Sequence, residues 1–124
     1  MVYKLVIQGR LPGTNDYSRA QKAGPHKGQG MKNEQEEYIG WHIRAQMNGL
    51  QIKNPVSIVY IWVEENTRRD KDNIRQGEKF IQDALVKMGV LKGDGWKHIR
   101  GSHSEYTVDA NKPRVEVILV EQPV

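Results

Sequence analysis

The run Val56-Ser57-Ile58-Val59-Tyr60-Ile61-Trp62-Val63 constrains the fold more than any other stretch of the chain. It follows Pro55, is rich in β-branched and aromatic residues, and is nearly continuous in apolarity. That combination predicts a central strand covered on at least one face. The next long pattern is helical. Ile74, Gly77, Ile81, Ala84, Leu85 and Met88 recur at three- and four-residue steps with Phe80 beside them, predicting a helix over 74–88. Arg75, Gln76, Glu78, Lys79, Gln82, Asp83 and Lys87 fill its other face, and Gly89 is placed to cap its C-terminus.

The remaining elements are shorter. Val2 to Gln8 has strand composition, and 9–18 reads as a loop with a turn at Pro12-Gly13. Residues 24–30 hold three glycines and a proline, which predicts a mobile loop over about 19–31. Lys32 to Met47 reads as a helix whose apolar positions are Tyr38, Trp41 and Ala45, joined by Ile39, Ile43 and Met47; Asn48-Gly49 stops it. Two further strands are expected near 96–106 and 114–121, the second with Val115, Val117 and Leu119 in alternation. The order β-α-β-α-β-β predicts a single α+β domain over 1–124, with two main helices packed on a mixed, mostly antiparallel sheet.

The chain has 124 residues, enough for one modest core, and no cysteine, which excludes disulfides, thiolate zinc sites and a thiol nucleophile. Its apolar runs are too short to cross a bilayer, and its start reads as a strand rather than a signal peptide, so no membrane partner and a cytoplasmic location are expected. A net charge of +4 and a pI near 9.4 favour a polyanionic partner.

The charges are concentrated in Arg68-Arg69-Asp70-Lys71-Asp72-Asn73. In an extended segment, residues two apart point the same way, so Asp70 and Asp72 can face one point. Carboxylates hold a hard cation, and magnesium needs only one or two of them plus water and substrate phosphate. Arg68, Arg69, Lys71 and Arg75 supply the charge that holds phosphate. Taken alone, Asp72 also stands where a helix N-cap belongs; that role leaves Asp70 and the cations unexplained, and a solvated charged loop is the equal alternative on pattern alone. Asp94, between Gly93 and Gly95, reads from spacing alone as a turn aspartate. A helix over 74–88 is roughly 22 Å long, and 89–94 can travel back at most ~20 Å. Asp94 therefore reaches the Asp70 end only through a nearly straight connection, a shorter helix or a second subunit. Lys79 and Asp83, four apart, read as a surface ion pair. His26, His42, His98 and His103 show no metal-ligand spacing. Trp96 is expected in the core, with a DNA contact beside Lys97, His98 and Arg100 as the alternative.

The central motif, followed by Asp83-Ala84-Leu85 and Gly89-Val90-Leu91-Lys92-Gly93-Asp94, resembles the RusA-type Holliday junction resolvases. Gly9-Arg10-Leu11-Pro12-Gly13-Thr14-Asn15 is similar to that family's N-terminal loop. The resemblance implies a homodimer of small α+β subunits that cuts branched, four-way DNA with magnesium, or manganese in its place. It makes Asp70, Asp72 and Asp94 the metal ligands and catalytic acids, and Lys79 the catalytic lysine when aligned backwards from Asp83. Aligned forwards from Asp72, that position is Gln76. It also implies DNA contacts at Arg68, Arg69, Lys71, Asn73, Arg75, Asn15 and Lys27. The chain departs from the family pattern at Gly93, where a second aspartate is common, and at Gly13, where serine is common. A flap or fork nuclease, and a DNA-binding homologue without catalysis, share the same residues.

Overall fold

The computed structural model describes Met1 to Pro123, with the side chains of Thr14, Asn15, Tyr17 and Pro25 outside the description. The chain is an α+β domain. Its elements are β1 (Val2–Gln8), α1 (Thr14–Lys22), α2 (Pro25–Gln46), β2 (Val56–Glu64), α3 (Lys71–Arg75), α4 (Gly77–Lys87), β3 (Ile99–Val108) and β4 (Arg114–Glu121). The four strands form one mixed sheet in the order β1-β4-β2-β3. β4 pairs antiparallel with both β1 and β2, while β3 runs parallel to β2. A parallel pair needs a crossover, and α3 and α4 provide it. The strand from Val56 is interior, as its apolarity predicts, and Tyr60 and Trp62 on it stack with ring centroids 5.6 Å apart.

Alternate residues of the sheet make the core. Leu5 and Ile7, Val115, Val117 and Leu119, and Val56, Ile58, Tyr60 and Trp62 join one buried cluster with Ile39, Ile43, Ile81 and Leu85 from the helices. The intervening residues Val6, Val59, Ile61, Ile118 and Val120 are only half-buried, so one sheet face carries the helices and the other stays more open. Among the described residues no helix is long and apolar enough to cross a membrane.

Three expectations are corrected. The segment expected as loop is helical: α1 begins after Gly13, and α2 starts at Pro25. Asp16 accepts a 3.0 Å hydrogen bond from the Gly13 N–H, meeting one of the donors a helix start leaves open. Gly24, at φ 142°, makes the break between α1 and α2. Gly28 permits their close approach, since a Cβ there would sit 2.8 Å from Gln21 Cγ. These glycines mark a break and a helix contact within a run that composition alone reads as loop. On α2 the inward stripe is Ile39, Ile43 and Met47, while Tyr38, Trp41 and Ala45 face outward. Both stripes keep helical spacing; the β-branched pair wins the core and leaves the larger aromatics at the surface. The long helix is divided at Gln76 into α3 and α4.

α4 is fixed to the sheet by close packing and by polar links. A Cβ at Gly77 would lie 2.9 Å from Trp62 Cη2 and 3.2 Å from Leu11 Cδ1. The Trp62 indole N–H donates to Ser104 Oγ at 2.9 Å, and that hydroxyl donates to Glu78 Oε2 at 2.8 Å. Gln82 donates to the Tyr60 hydroxyl at 3.0 Å, and burial pushes that phenol's pKa up. Gly77→Ala should destabilise the fold by about 1–3 kcal/mol, because overpacking against the indole outweighs the gain in helix propensity. Urea denaturation measures this; an unchanged or raised midpoint would show that the indole yields.

Candidate active site

The site is built where β2 ends. Glu64, the last residue of that strand, is a buried charge at 5% exposure. It is tolerated because Arg69 curls back over it. Arg69 Nε donates to Glu64 Oε1 at 2.9 Å, Nη2 donates to Oε2 at 2.8 Å, and Nη1 donates to the Leu11 carbonyl at 2.8 Å. All three guanidinium nitrogens of Arg69, one of the residues expected to contact DNA, are engaged inside the protein. The sequence analysis missed Glu64. Its only signal was a carboxylate closing an apolar strand, five residues before an arginine across a turn.

The clamp closes the turn that presents the acidic pair. Asp70 is the N-cap of α3, with extended backbone at φ −68° and ψ 151°, yet its carboxylate makes no capping bond to that helix. Asp72, the expected cap, lies inside the first turn; its side chain is 91% exposed and forms a 3.1 Å ion pair with Arg75. Thr67, Arg69, Asp70, Lys71 and Asp72 line an open hollow of about 470 Å³. Lys71 Nζ lies 5.4 Å from the centre of the Tyr106 ring on β3, within cation–π range. Arg68 is exposed, and its backbone N–H donates to Asn66 Oδ1 at 3.0 Å.

The N-terminal loop meets this turn at Asn73. A Cβ on Gly13 would lie 2.6 Å from Asn73 Cγ and 2.7 Å from its carbonyl oxygen, so glycine is required there by contact. The two sequence motifs therefore touch in the fold. The Asn15 side chain lies outside the described residues. Lys27 is exposed near the start of α2.

Asp94 comes back only part of the way. Gly89, at φ 79°, turns the chain, and the Val90 and Leu91 N–H groups donate to the Leu85 carbonyl at 3.0 and 3.2 Å. Val90 and Leu91 are buried, which holds the return path against the core. Asp94 then meets Lys79: Lys79 Nζ is 3.2 Å from Asp94 Oδ2 and 3.1 Å from Asp83 Oδ1. Lys32 approaches Asp83 from α2 at 3.7 Å. The expected Lys79–Asp83 surface pair is present and is extended by Asp94. Lys79 lies seven positions after Asp72, roughly 10 Å along a helix axis. Among the described residues, no three His, Asp or Glu side chains gather closely enough to hold a metal ion.

The segment expected to be extended turns into α3 at Lys71, so strand alternation does not face Asp70 and Asp72 to one point, which corrects that expectation. On donor chemistry alone the two carboxylates still suit magnesium. Both supply hard oxygens, neither carboxylate caps α3, and the hollow beside them is open to water and phosphate. At Gly93 an acidic side chain would not fit unaltered: a Cβ there would sit 2.9 Å from the His98 ring.

The sequence matches no protein-family model and no curated protein.

Two expected outcomes follow from this geometry. The hydrogen bond from Lys79 holds the Asp94 carboxyl below its ordinary pKa, and the bonds to Asp83 and then Asp94 hold the Lys79 ammonium above its own. Asp94 thus adds stability that is present above the ordinary carboxyl pKa and lost as pH falls through the lowered one. Lys79 adds stability that is present below the ordinary ammonium pKa and lost as pH rises through the raised one. The NMR titration midpoint of the Asp94 carboxyl should rise in Lys79→Ala; an unmoved midpoint would dissolve the pair. Separately, Glu64→Gln or Arg69→Met should each cost about 3–5 kcal/mol in urea denaturation, because each strands a buried charge. The double variant Glu64→Leu/Arg69→Met should cost clearly less than the sum.

Proposed function

We propose that this chain is a magnesium-dependent endonuclease acting on branched DNA, of the RusA-like resolvase type. The observation that carries this reading is the pair of open carboxylates, Asp70 and Asp72, set among exposed cations on a turn that a buried clamp holds in place. Capping leaves the Asp70 carboxylate unspent, and a solvated loop needs no such clamp. The packing of Gly13 against Asn73 adds support by joining the two motifs that carry the family resemblance.

In this reading Asp70 and Asp72 would hold the magnesium ion. The bound ion supplies Lewis-acid polarisation of phosphate oxygens and a water of lowered pKa for in-line attack. Arg68, Lys71 and Arg75 place the DNA backbone and make binding salt-dependent. Lys79 turns from its carboxylate partners to the phosphate oxygens and offsets their gathering charge. Asp94 would serve as the third ligand to the ion.

Paired cuts in two strands call for two sites related by a two-fold axis, hence a homodimer. The half-buried apolar residues Val59, Ile61 and Ile118 on the open sheet face support a second copy. The absence of cysteine suits work in the cytoplasm.

A second reading, DNA binding without hydrolysis, draws support from Asp94 being held by Lys79 apart from the acidic pair. One experiment separates the two: incubation with a four-way junction, a flap and linear DNA, with magnesium and with chelator. Magnesium-dependent cutting of the junction is the expected result, lost more than about 100-fold in Asp70→Asn or Asp72→Asn with junction binding retained. Binding without any cutting would establish the second reading, and preferred cutting of flaps would change the substrate. Lys79→Ala should slow turnover more than it weakens binding; wild-type turnover would return Lys79 to the role of surface ion pair.

A further inference from the structure

Trp96 departs furthest from what its residue type leads one to expect. It is 96% exposed, and an indole is among the largest apolar surfaces a side chain can offer. Trp62 is buried in the core, and Trp41, also outward, keeps part of its surface covered at 62% exposure. The exposure of Trp96 is built into the fold. The His98 and Ile99 N–H groups both donate to the Gly95 carbonyl, at 2.9 and 3.0 Å, closing a tight turn beneath the indole. On one side the turn is held by the Asp94–Lys79 ion pair. On the other the Val56 N–H donates to the His98 carbonyl at 2.9 Å, which joins the turn to the sheet. The His98 ring fills the space over Gly93.

The surroundings identify what it faces. Lys92, Lys97 and Arg100, all exposed, lie within four residues of it along the chain. The one acidic residue in 92–100 is Asp94, already paired with Lys79. An exposed indole in a short segment rich in exposed cations has the composition of a stacking platform for single-stranded nucleic acid: the cations hold the backbone while the indole takes a base. Its chain neighbours Gly95 and Lys97 add no apolar side chain on which a protein partner could anchor.

We infer that Trp96 stacks on an unpaired base of DNA held across the 92–100 turn, with Lys97 and Arg100 on the flanking phosphates. The inference rests on the nucleic-acid reading above and deepens it. An indole two residues from Asp94 engages a base that is free of its partner, so the turn would distinguish branched or frayed DNA from intact duplex. Because the side chain is free of the core, its removal leaves the fold intact.

The test needs no cleavage. With chelator present and at low salt, a single-stranded oligothymidylate is titrated into the full chain and tryptophan emission is followed. Wild type should be quenched on binding. Trp96→Ala should bind at least about fivefold more weakly and lose most of the quench, while Trp96→Phe keeps most of the affinity. Lys97→Ala should lower the salt dependence of binding by about one phosphate contact. Asp70→Asn/Asp72→Asn should quench like wild type, so that loss of cleavage and loss of stacking are read apart. Cleavage without a Trp96-dependent quench would overturn the inference and leave the nuclease reading standing; quench without cleavage would do the reverse. Equal binding by Trp96→Ala, or emission that responds to protein concentration and not to DNA, would also overturn it, the latter by making a second copy the partner.

Discussion

The buried fork between Arg69 and Glu64 is the constraint on which the site depends. A carboxylate at the end of an apolar strand would be costly to bury unpaired. Arg69 meets both its oxygens and reaches on to the Leu11 carbonyl, so one side chain fastens three segments: the end of β2, the turn into α3 and the N-terminal loop. The packing of Gly13 against Asn73 and of Gly77 against Trp62 and Leu11 follows from the same closure. Asp70, the next residue after Arg69, therefore leaves the protein at a fixed point. Rigid placement of a carboxylate is what distinguishes a possible ligand position from an ordinary charged loop.

A second polar line runs through the structure alongside the first. Trp62, Ser104 and Glu78 link the central strand, the edge strand and α4, and Gln82 and Tyr60 repeat that link one turn later. This sets the register of α4 on the sheet and with it the position of Lys79. The Lys79–Asp94 pair then positions the 93–98 turn, and the turn displays Trp96. Clamp, helix and displayed indole form one chain of consequence, from the core outward to the surface proposed to meet DNA.

The acidic pair, the cations around it and all four strands were legible in the sequence because each is a local pattern. β1 and β4 have the bounds that alternation predicts, and Val56 opens the interior strand as its apolarity predicts. Three features were not legible. The glycines of 24–30 lie where α2 begins and where it crosses α1, and composition cannot separate a glycine that frees the chain from one that lets two helices touch. On α2, two stripes share helical spacing, and only the sheet beneath decides that Ile39, Ile43 and Met47 face in. Arg69 belongs to the same basic run as Arg68, yet one is buried in an ion pair and the other exposed, because Glu64 and Leu11 lie within reach of one of them.

The sequence by itself determined the α+β class, the central strand, the paired aspartates with their cations and the absence of any thiol chemistry. All of these are set by residue type and spacing along the chain. Tertiary structure alone decided which cations are held in ion pairs, that Asp70 and not Asp72 stands at the N-cap position of α3 without a capping bond from its carboxylate, that Asp94 pairs with Lys79, and that Trp96 points to solvent. Each of these turns on a contact between residues distant in the chain or on the path of a turn, and the energy of a charge or an indole is set by what surrounds it in space rather than by its neighbours in the sequence.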